Sequence, residues 1–421
     1  MRILICGANG FIGRHLAARL SAAGHTVLRG VRHPAGSDEV AMDFACDDDP
    51  ALWRARLQGV DAVVNAVGIL IESTGRRFDA IHASTPRALF TACAELPELR
   101  TVQISALGVE RGSTDYFRSK LVADEYLSSY SRNWAILRPS LVYGTDGASS
   151  RLFRTLASLP LIALPGTGEQ PLQPVHVDDL CDCALNLLEA GTPPNRSHDI
   201  AGPRALTYRE LLACYRRALG LPPPRFIHIP MALVRATARL GERLPQRVLS
   251  RDTLAMLEAG NTTSANATEG LLGRAPRAPE HFIPRDSADV LRLDAVSRWT
   301  TPLLHAALAT MWFAAGIVSL LQHEVSLALL ASLGLSGASA VAVLVAASML
   351  DLALGLATLL RPSRALWLSQ TLLVAVYSMI ISVWLPEHWL HPFGPIVKNL
   401  PILAMLLMLY ARSPRNTQWT T

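Results

Sequence analysis

Three glycines spaced by two residues, Gly7, Gly10 and Gly13, follow directly on the apolar run Ile3-Leu4-Ile5. A strand that ends in such a turn and runs straight into a helix has a demanding geometry. Gly7 is expected to allow the tight turn, Gly10 to let the backbone approach a pyrophosphate, and Gly13 to let helix and strand pack closely. Phosphates would then meet the positive end of the following helix. Asn9, Phe11 and Ile12 share this loop and first helical turn, and are candidate cofactor contacts with the glycines.

The rest of the first half supports that reading. Short β-branched runs at 2–6, 26–31, 61–66, 100–105 and 134–138 alternate with helical patterns such as 11–23 and 86–96. Strand-helix alternation predicts an α/β fold, a doubly wound parallel sheet of Rossmann type over residues 1–165. Residues 166–298 are less regular. Helices are expected at 178–189, 208–219 and 231–244, with Pro-rich breaks at 193–194 and 222–224. They predict a small substrate lobe closing over the carboxyl edge of the sheet.

Only 17% of the 421 residues are charged, against roughly 25% in ordinary soluble proteins. The shortfall is concentrated after residue 300. Apolar segments at 302–321, 338–360, 365–385 and 393–410 are each near the ~20 residues that cross about 30 Å of hydrocarbon. The fourth is short and carries Lys398, Asn399 and Pro401. A shorter apolar stretch, 325–336, is expected to lie at an interface. These segments predict a four-helix transmembrane bundle over 299–413. Arg292 and Arg298 precede the first segment, Arg361 and Arg364 separate the second and third, and Arg412 and Arg415 follow the fourth. The other two connections lack Lys and Arg, so both termini are expected on the cytoplasmic side of an inner membrane. The run after Met1-Arg2 is too short for a signal-peptide core, which agrees. Within the second segment Asp351 needs a partner; an Asp351–Lys398 pair, or a quinone or lipid-head pocket rimmed by His391, would supply one, and plain helix packing is the simpler reading.

The net charge is +5, without a basic block interleaved with aromatics, so nucleic acid is not an expected partner. The six cysteines match no zinc spacing. They read as reduced thiols, and no metal is expected.

An NAD site usually ends its second strand on an acid for the ribose 2′-hydroxyl. This chain places Arg32 there. A guanidinium suits a 2′-phosphate, which predicts NADP(H) in preference to NAD(H). Asp43 is a candidate contact to the adenine amine, or a plain loop acid. Asn65, Ala66 and Gly68 end a strand where small residues let the chain pass the cofactor ribose.

Tyr116-Phe-Arg-Ser-Lys120 places a phenol and an ammonium one helical turn apart. An adjacent ammonium is expected to lower the phenol's pKa, making Tyr116 the acid-base group. Lys120 would also hold the nicotinamide ribose. Ser105, at the end of the preceding strand, would bind the reacting carbonyl or alkoxide oxygen.

With these motifs in this order, and with 137–144 (Leu-Arg-Pro-Ser-Leu-Val-Tyr-Gly) and 173–179 (Gln-Pro-Val-His-Val-Asp-Asp), residues 1–220 resemble the short-chain dehydrogenase/reductase superfamily in its extended and atypical branches. The resemblance is closest to the subgroup related to the nucleotide-binding accessory subunit of respiratory complex I and to a ubiquinone-biosynthesis accessory protein. It implies hydride transfer at nicotinamide C4, with Pro139 bordering the nicotinamide. Arg138 faces the pocket or forms a structural ion pair; Asp178 faces the substrate lobe or caps a helix. Cys6, where Thr is commoner, and the eleven-residue step from Ser105 to Tyr116 are departures. Residues 299–413 resemble the DoxX-like membrane family, carried by 389–401 (Trp-Leu-His-Pro-Phe-Gly-Pro-Ile-Val-Lys-Asn-Leu-Pro). The expected function is a membrane-anchored NADP(H)-dependent oxidoreductase acting on a lipophilic carbonyl or alcohol. The alternatives are a non-catalytic NADP(H)-binding sensor or assembly factor with a membrane-complex partner, and a nucleotide-sugar epimerase or dehydratase.

Overall fold

The computed structural model describes residues 1–130, 132–189, 195–241, 251–264, 266–390, 394 and 396–414. Two compact units divide the chain, Met1–Val296 and Ser297–Thr421.

In the first unit, strands β1 (Arg2–Cys6), β2 (Thr26–Val31), β3 (Glu39–Ala41), β4 (Ala62–Asn65), β5 (Arg100–Ile104), β6 (Trp134–Pro139) and β7 (Arg196–Ile200) build one sheet. Its order is β7-β6-β5-β4-β1-β2-β3, and every pairing is parallel. Parallel neighbours need crossovers, supplied by α1 (Phe11–Ala22), α2 (Pro50–Arg56), α3 (Thr85–Ala94) and α4 (Asp115–Tyr130). Successive residues of a strand face opposite sides, so β1 sends Ile3 and Ile5 into one core with Leu16, Leu20 and Leu180. Leu4 and Cys6 enter the other, with Trp53, Phe90 and Leu127. Because β1 pairs with both β2 and β4, the connections leave it in opposite directions, and the carboxyl ends of β1 and β4 open a crevice at this switch point.

The five strands expected from the sequence are present. Two other strands of this sheet were not foreseen: β3 is three residues long, and β7 reads Arg-Ser-His-Asp-Ile, without an apolar run. Residue 165 lies within the first unit, and β7 comes from beyond it to join the sheet.

The remainder of this unit carries α5 (Ala148–Ser158), α6 (Val177–Glu189), α7 (Tyr208–Ala218), α8 (Met231–Gly241), α9 (Arg251–Ala259) and α10 (Thr268–Leu272). A separate core of Tyr143, Ile162, Leu164, Leu172, Tyr215 and Phe282 holds it together. Helix α7 starts at a capping box, Thr207 with Glu210. All six cysteines are free. The predicted break at 193–194 lies outside the described residues.

The second unit is helical. Helices α11 (Arg285–Leu321), α13 (Gly337–Leu360) and α14 (Arg364–Trp384) are long and apolar enough to cross a membrane, and α15 (Asn399–Arg412) is shorter. Between α11 and α13 lies α12 (His323–Ser332), in the stretch expected to be interfacial. The segment expected to start at Pro302 belongs to a helix starting at Arg285; the proline removes one backbone bond without ending it. Leu360, Met379 and Leu321 are among many large apolar side chains left exposed, which an aqueous surface disfavours and lipid accepts. Asp351 is buried on α13 with Oδ1 unpartnered, whereas Lys398 is exposed. No ion pair joins them among the described residues, so of the readings offered for Asp351 the pair with Lys398 is not formed. His391 and Arg415 lie outside the described residues.

Candidate active site

The glycine turn shows why it cannot carry other side chains. Gly7 has φ +78, a backbone region L side chains avoid. A Cβ on Gly13 would stand 2.1 Å from the Gly7 carbonyl oxygen. Helix α1 therefore starts against the end of β1. Its N-cap is Gly10, which offers no side-chain bond, and no acid stands in its first turn. The first N–H groups of this helix thus retain both their donors and their positive potential for an anion. That arrangement fits the pyrophosphate of a dinucleotide.

Around the turn, the Asn9 side chain accepts a bond from Arg29 Nη2 at 2.8 Å, and Arg29 also pairs with Glu39 at 3.4 Å. Arg32 is exposed just beyond β2. Phe11 packs beneath the loop at Gly144 and Gly147, where an added Cβ would lie 2.7 and 3.1 Å from its ring. Ile12 is half-buried against the core. The Asp43 carboxylate accepts from Ala45 N at 3.0 Å, within its own loop. Asn65 is buried and bonded internally, to Gln103 at 2.8 Å and to Val67 N at 3.2 Å, so it shapes the loop that carries Ala66 and Gly68. Ala66 N donates to Cys6 O at 3.1 Å, and Pro139 O accepts from Leu107 N at 2.9 Å.

Gly68 brings the backbone beside Lys120 and His82: a Cβ there would lie 3.1 Å from Lys120 Nζ and 3.5 Å from His82 Nε2. Lys120 is buried and donates to Val67 O at 3.2 Å and Ile104 O at 3.1 Å. Burial lowers its ammonium to about 8, against an opposing pull from Asp124. Tyr116 is buried among Phe78, His82 and Phe117. Burial, reinforced by the Asp124 carboxylate, pushes its phenol up to about 12. The expectation that Lys120 lowers this phenol is therefore corrected: the ammonium is turned to two backbone carbonyls. Ser105 is buried and donates its proton to Asp124 Oδ2 at 2.8 Å. Its expected role as donor to a reacting oxygen is corrected by that bond, since a hydroxyl has one proton to give. Arg138 forms the ion pairs, with Asp124 at 3.2 Å and Glu110 at 2.5 Å. Asp178 pairs with Arg277 at 2.5 Å in the first turn of α6.

Two residues of this site were not foreseen. Asp124 extends the stripe of Tyr116 and Lys120 by one more turn, a spacing visible in the sequence. His82 sits in a π-helical turn, Asp79–Ser84, which carries no sequence signal. Its Nε2 accepts from Ile69 N at 3.0 Å and its Nδ1 faces Ser119 Oγ at 3.0 Å. Burial, with Lys120 adding to it, drives its pKa down to about 2, so the ring is neutral.

Comparison with known proteins agrees with this architecture. Residues 3–201 match the NAD dependent epimerase/dehydratase family, and residues 309–407 match the DoxX-like family. The chain joins an epimerase-like domain to a DoxX-like domain. The Arabidopsis thaliana protein "NADH dehydrogenase [ubiquinone] 1 alpha subcomplex subunit 9, mitochondrial" is 26% identical over 252 residues, 56% of this chain and 61% of that protein. The chain thus spans about three fifths of this relative. Among solved structures, human epimerase family protein SDR39U1 (isoform 2) with NADPH superposes with a TM-score of 0.51 at 23% identity, covering 68% of this chain and 99% of that one. MoeE5 in complex with UDP-glucuronic acid and NAD gives 0.52 at 18%, covering 68% and 98%. The epimerase-like domain is of the NAD(P)-binding type.

Proposed function

We propose that this protein is a membrane-anchored, NADP(H)-dependent oxidoreductase of the short-chain dehydrogenase type, acting on a lipophilic carbonyl or alcohol. The reading is carried by one observation: Lys120 Nζ lies beside Gly68 and is bonded to Val67 O and Ile104 O, at the carboxyl ends of β4 and β5 and next to the glycine turn that opens an uncapped helix N-terminus. A bound nicotinamide supplies or takes up hydride there. Gly7, Gly10 and Gly13 admit the pyrophosphate, Arg32 meets a 2′-phosphate, and Lys120 holds the loop at Val67 in place. With its pKa pushed up, Tyr116 keeps its proton at neutral pH and serves as donor to the reacting oxygen. Residues 166–298 supply the substrate lobe, and four spans place the catalytic domain and the C-terminus on the cytoplasmic side.

The resemblance to a complex I subunit favours a second reading, an NADP(H)-binding accessory of a membrane complex that performs no turnover. Tyr116→Phe separates the two. The full chain in detergent is titrated with NADPH and NADH by calorimetry, and nicotinamide oxidation is followed with 2-decanone as probe. The enzyme reading expects retained coenzyme binding with at least a hundredfold loss of turnover, the scale of acid-base catalysis (roughly 10²–10⁴). Wild-type protein that binds coenzyme but turns over no lipophilic carbonyl supports the accessory reading, and absence of coenzyme binding overturns both.

A further inference from the structure

Asp124 is 1% exposed, and its Oδ2 receives two donors, Ser105 Oγ at 2.8 Å and Arg138 Nε at 3.2 Å. Its Oδ1 is buried without a protein partner. The charged and titratable groups around it are Lys120 and Tyr116 on its own helix, Arg138 on β6, and Glu110 in the loop after β5, which Arg138 also holds. Asp124, Glu110, Arg138 and Glu125 also line a cleft of about 370 Å³. Ser105 has a single proton, and Asp124 takes it; the lone pairs of Oγ are what remain for a ligand. Two donors on one carboxylate oxygen, one from a guanidinium, hold that direction.

We propose that Asp124 is a positioning residue that sets the polarity of the substrate-oxygen site: it makes Ser105 an acceptor and leaves Tyr116 as the donor, so the pair recognises a hydroxyl group in preference to a bare carbonyl. This rests on the active-site reading above. A hydroxyl can give its proton to Ser105 and accept one from Tyr116. A carbonyl oxygen satisfies only Tyr116 and sets its lone pairs against those of Ser105.

Dead-end complexes test this without turnover: 2-decanol with NADPH and 2-decanone with NADP⁺, measured by calorimetry on the full chain. Asp124→Ala frees the Ser105 proton, and the ketone-to-alcohol affinity ratio is expected to rise about three- to tenfold, the range one neutral hydrogen bond supplies. In a Ser105→Ala background the same substitution should leave the ratio unchanged. Asp124→Asn keeps an acceptor oxygen and should keep the wild-type ratio. An unchanged ratio in Asp124→Ala, or an equal change without Ser105, overturns the proposal.

A second measurement needs no substrate. The phenolate absorbance that disappears in Tyr116→Phe should titrate at lower pH in Asp124→Ala and in Asp124→Asn. If wild-type protein binds neither probe, this arm decides. A shift then upholds Asp124's hold on the Tyr116 phenol while the lipophilic-substrate reading fails, and no shift overturns the proposal.

Discussion

At the scale of single residues, the proposed preference for NADP(H) rests on the charges beside the glycine turn. Arg32 stands exposed beyond β2, and Arg29 is held over the turn by Asn9. A 2′-phosphate would gain a charge-assisted bond from Arg32, worth about 1.5–3 kcal/mol, whereas a free 2′-hydroxyl gains little from it. Arg32→Glu supplies the acid that NAD sites use, so the NADPH-to-NADH affinity ratio should fall at least tenfold in calorimetric titrations. An unchanged ratio would remove Arg32 from the site. Lys120 makes a second prediction. Its folded pKa lies near 8, below its ordinary value of 10.5. Between these values the unfolded chain binds a proton that the folded chain lacks, so this residue makes stability rise with pH across that window. Below about pH 8 the folded protein carries the cost of a buried ammonium. Lys120→Met removes the group, so the melting temperature of wild type relative to this variant should climb from pH 7 to pH 9.5. A flat or falling difference would contradict the burial argument.

At the scale of elements, the junction of β1 and α1 leaves no room for a Cβ at Gly13, 2.1 Å from backbone. Gly13→Ala must push the helix off the strand, at a cost of about 1–3 kcal/mol for overpacking, and should abolish coenzyme binding. Gly270→Ala in α10 is the control: nothing lies within 4 Å of its added Cβ, so melting temperature and binding should be unchanged or slightly improved. Equal behaviour of the two variants would mean that the turn can relax. This junction was legible because its demands are local: glycine alone meets them, and they fall at fixed spacing. The five apolar strands were legible for the same reason. Strand β7 was not, because Arg196, Ser197 and Asp199 join the sheet at its edge through pairing with β6, without the apolar run that marks a buried strand. In the site, residue types could be read but hydrogen-bond directions could not. The proposed roles of Tyr116, Ser105 and Lys120 rest on order and spacing. That Ser105 gives its proton to Asp124, and that Lys120 turns to Val67 and Ile104, depends on β5 and α4 meeting in three dimensions.

At the scale of the whole molecule, the proposed four crossings turn on α15. Helix α15 has 14 residues, about 21 Å at 1.5 Å per residue, short of the roughly 30 Å hydrocarbon core. Its packing on α14 nevertheless fixes the side on which it ends. Asn399 Nδ2 donates to Ser378 Oγ at 2.8 Å, and Trp367 Nε1 donates to Ser413 Oγ at 3.0 Å. Arg364 lies 4.2 Å from the centre of the Tyr410 ring, a cation–π contact. The two helices therefore run antiparallel, with the end of α15 beside the start of α14. Arg361, Arg364 and Arg412 then share one end of the helix pair, which the positive-inside rule would put on the cytoplasmic side of the proposed anchor, while His323 and Glu324 belong to a connection without Lys or Arg. Single cysteines at His323, Ser363 and Ser413, placed in a chain with its six native cysteines replaced, should report this against a membrane-impermeant thiol reagent. His323→Cys should label in intact cells, and Ser363→Cys and Ser413→Cys only after permeabilisation. Labelling of Ser413→Cys but not Ser363→Cys from outside would separate the ends of α14 and α15, and with them the fourth crossing.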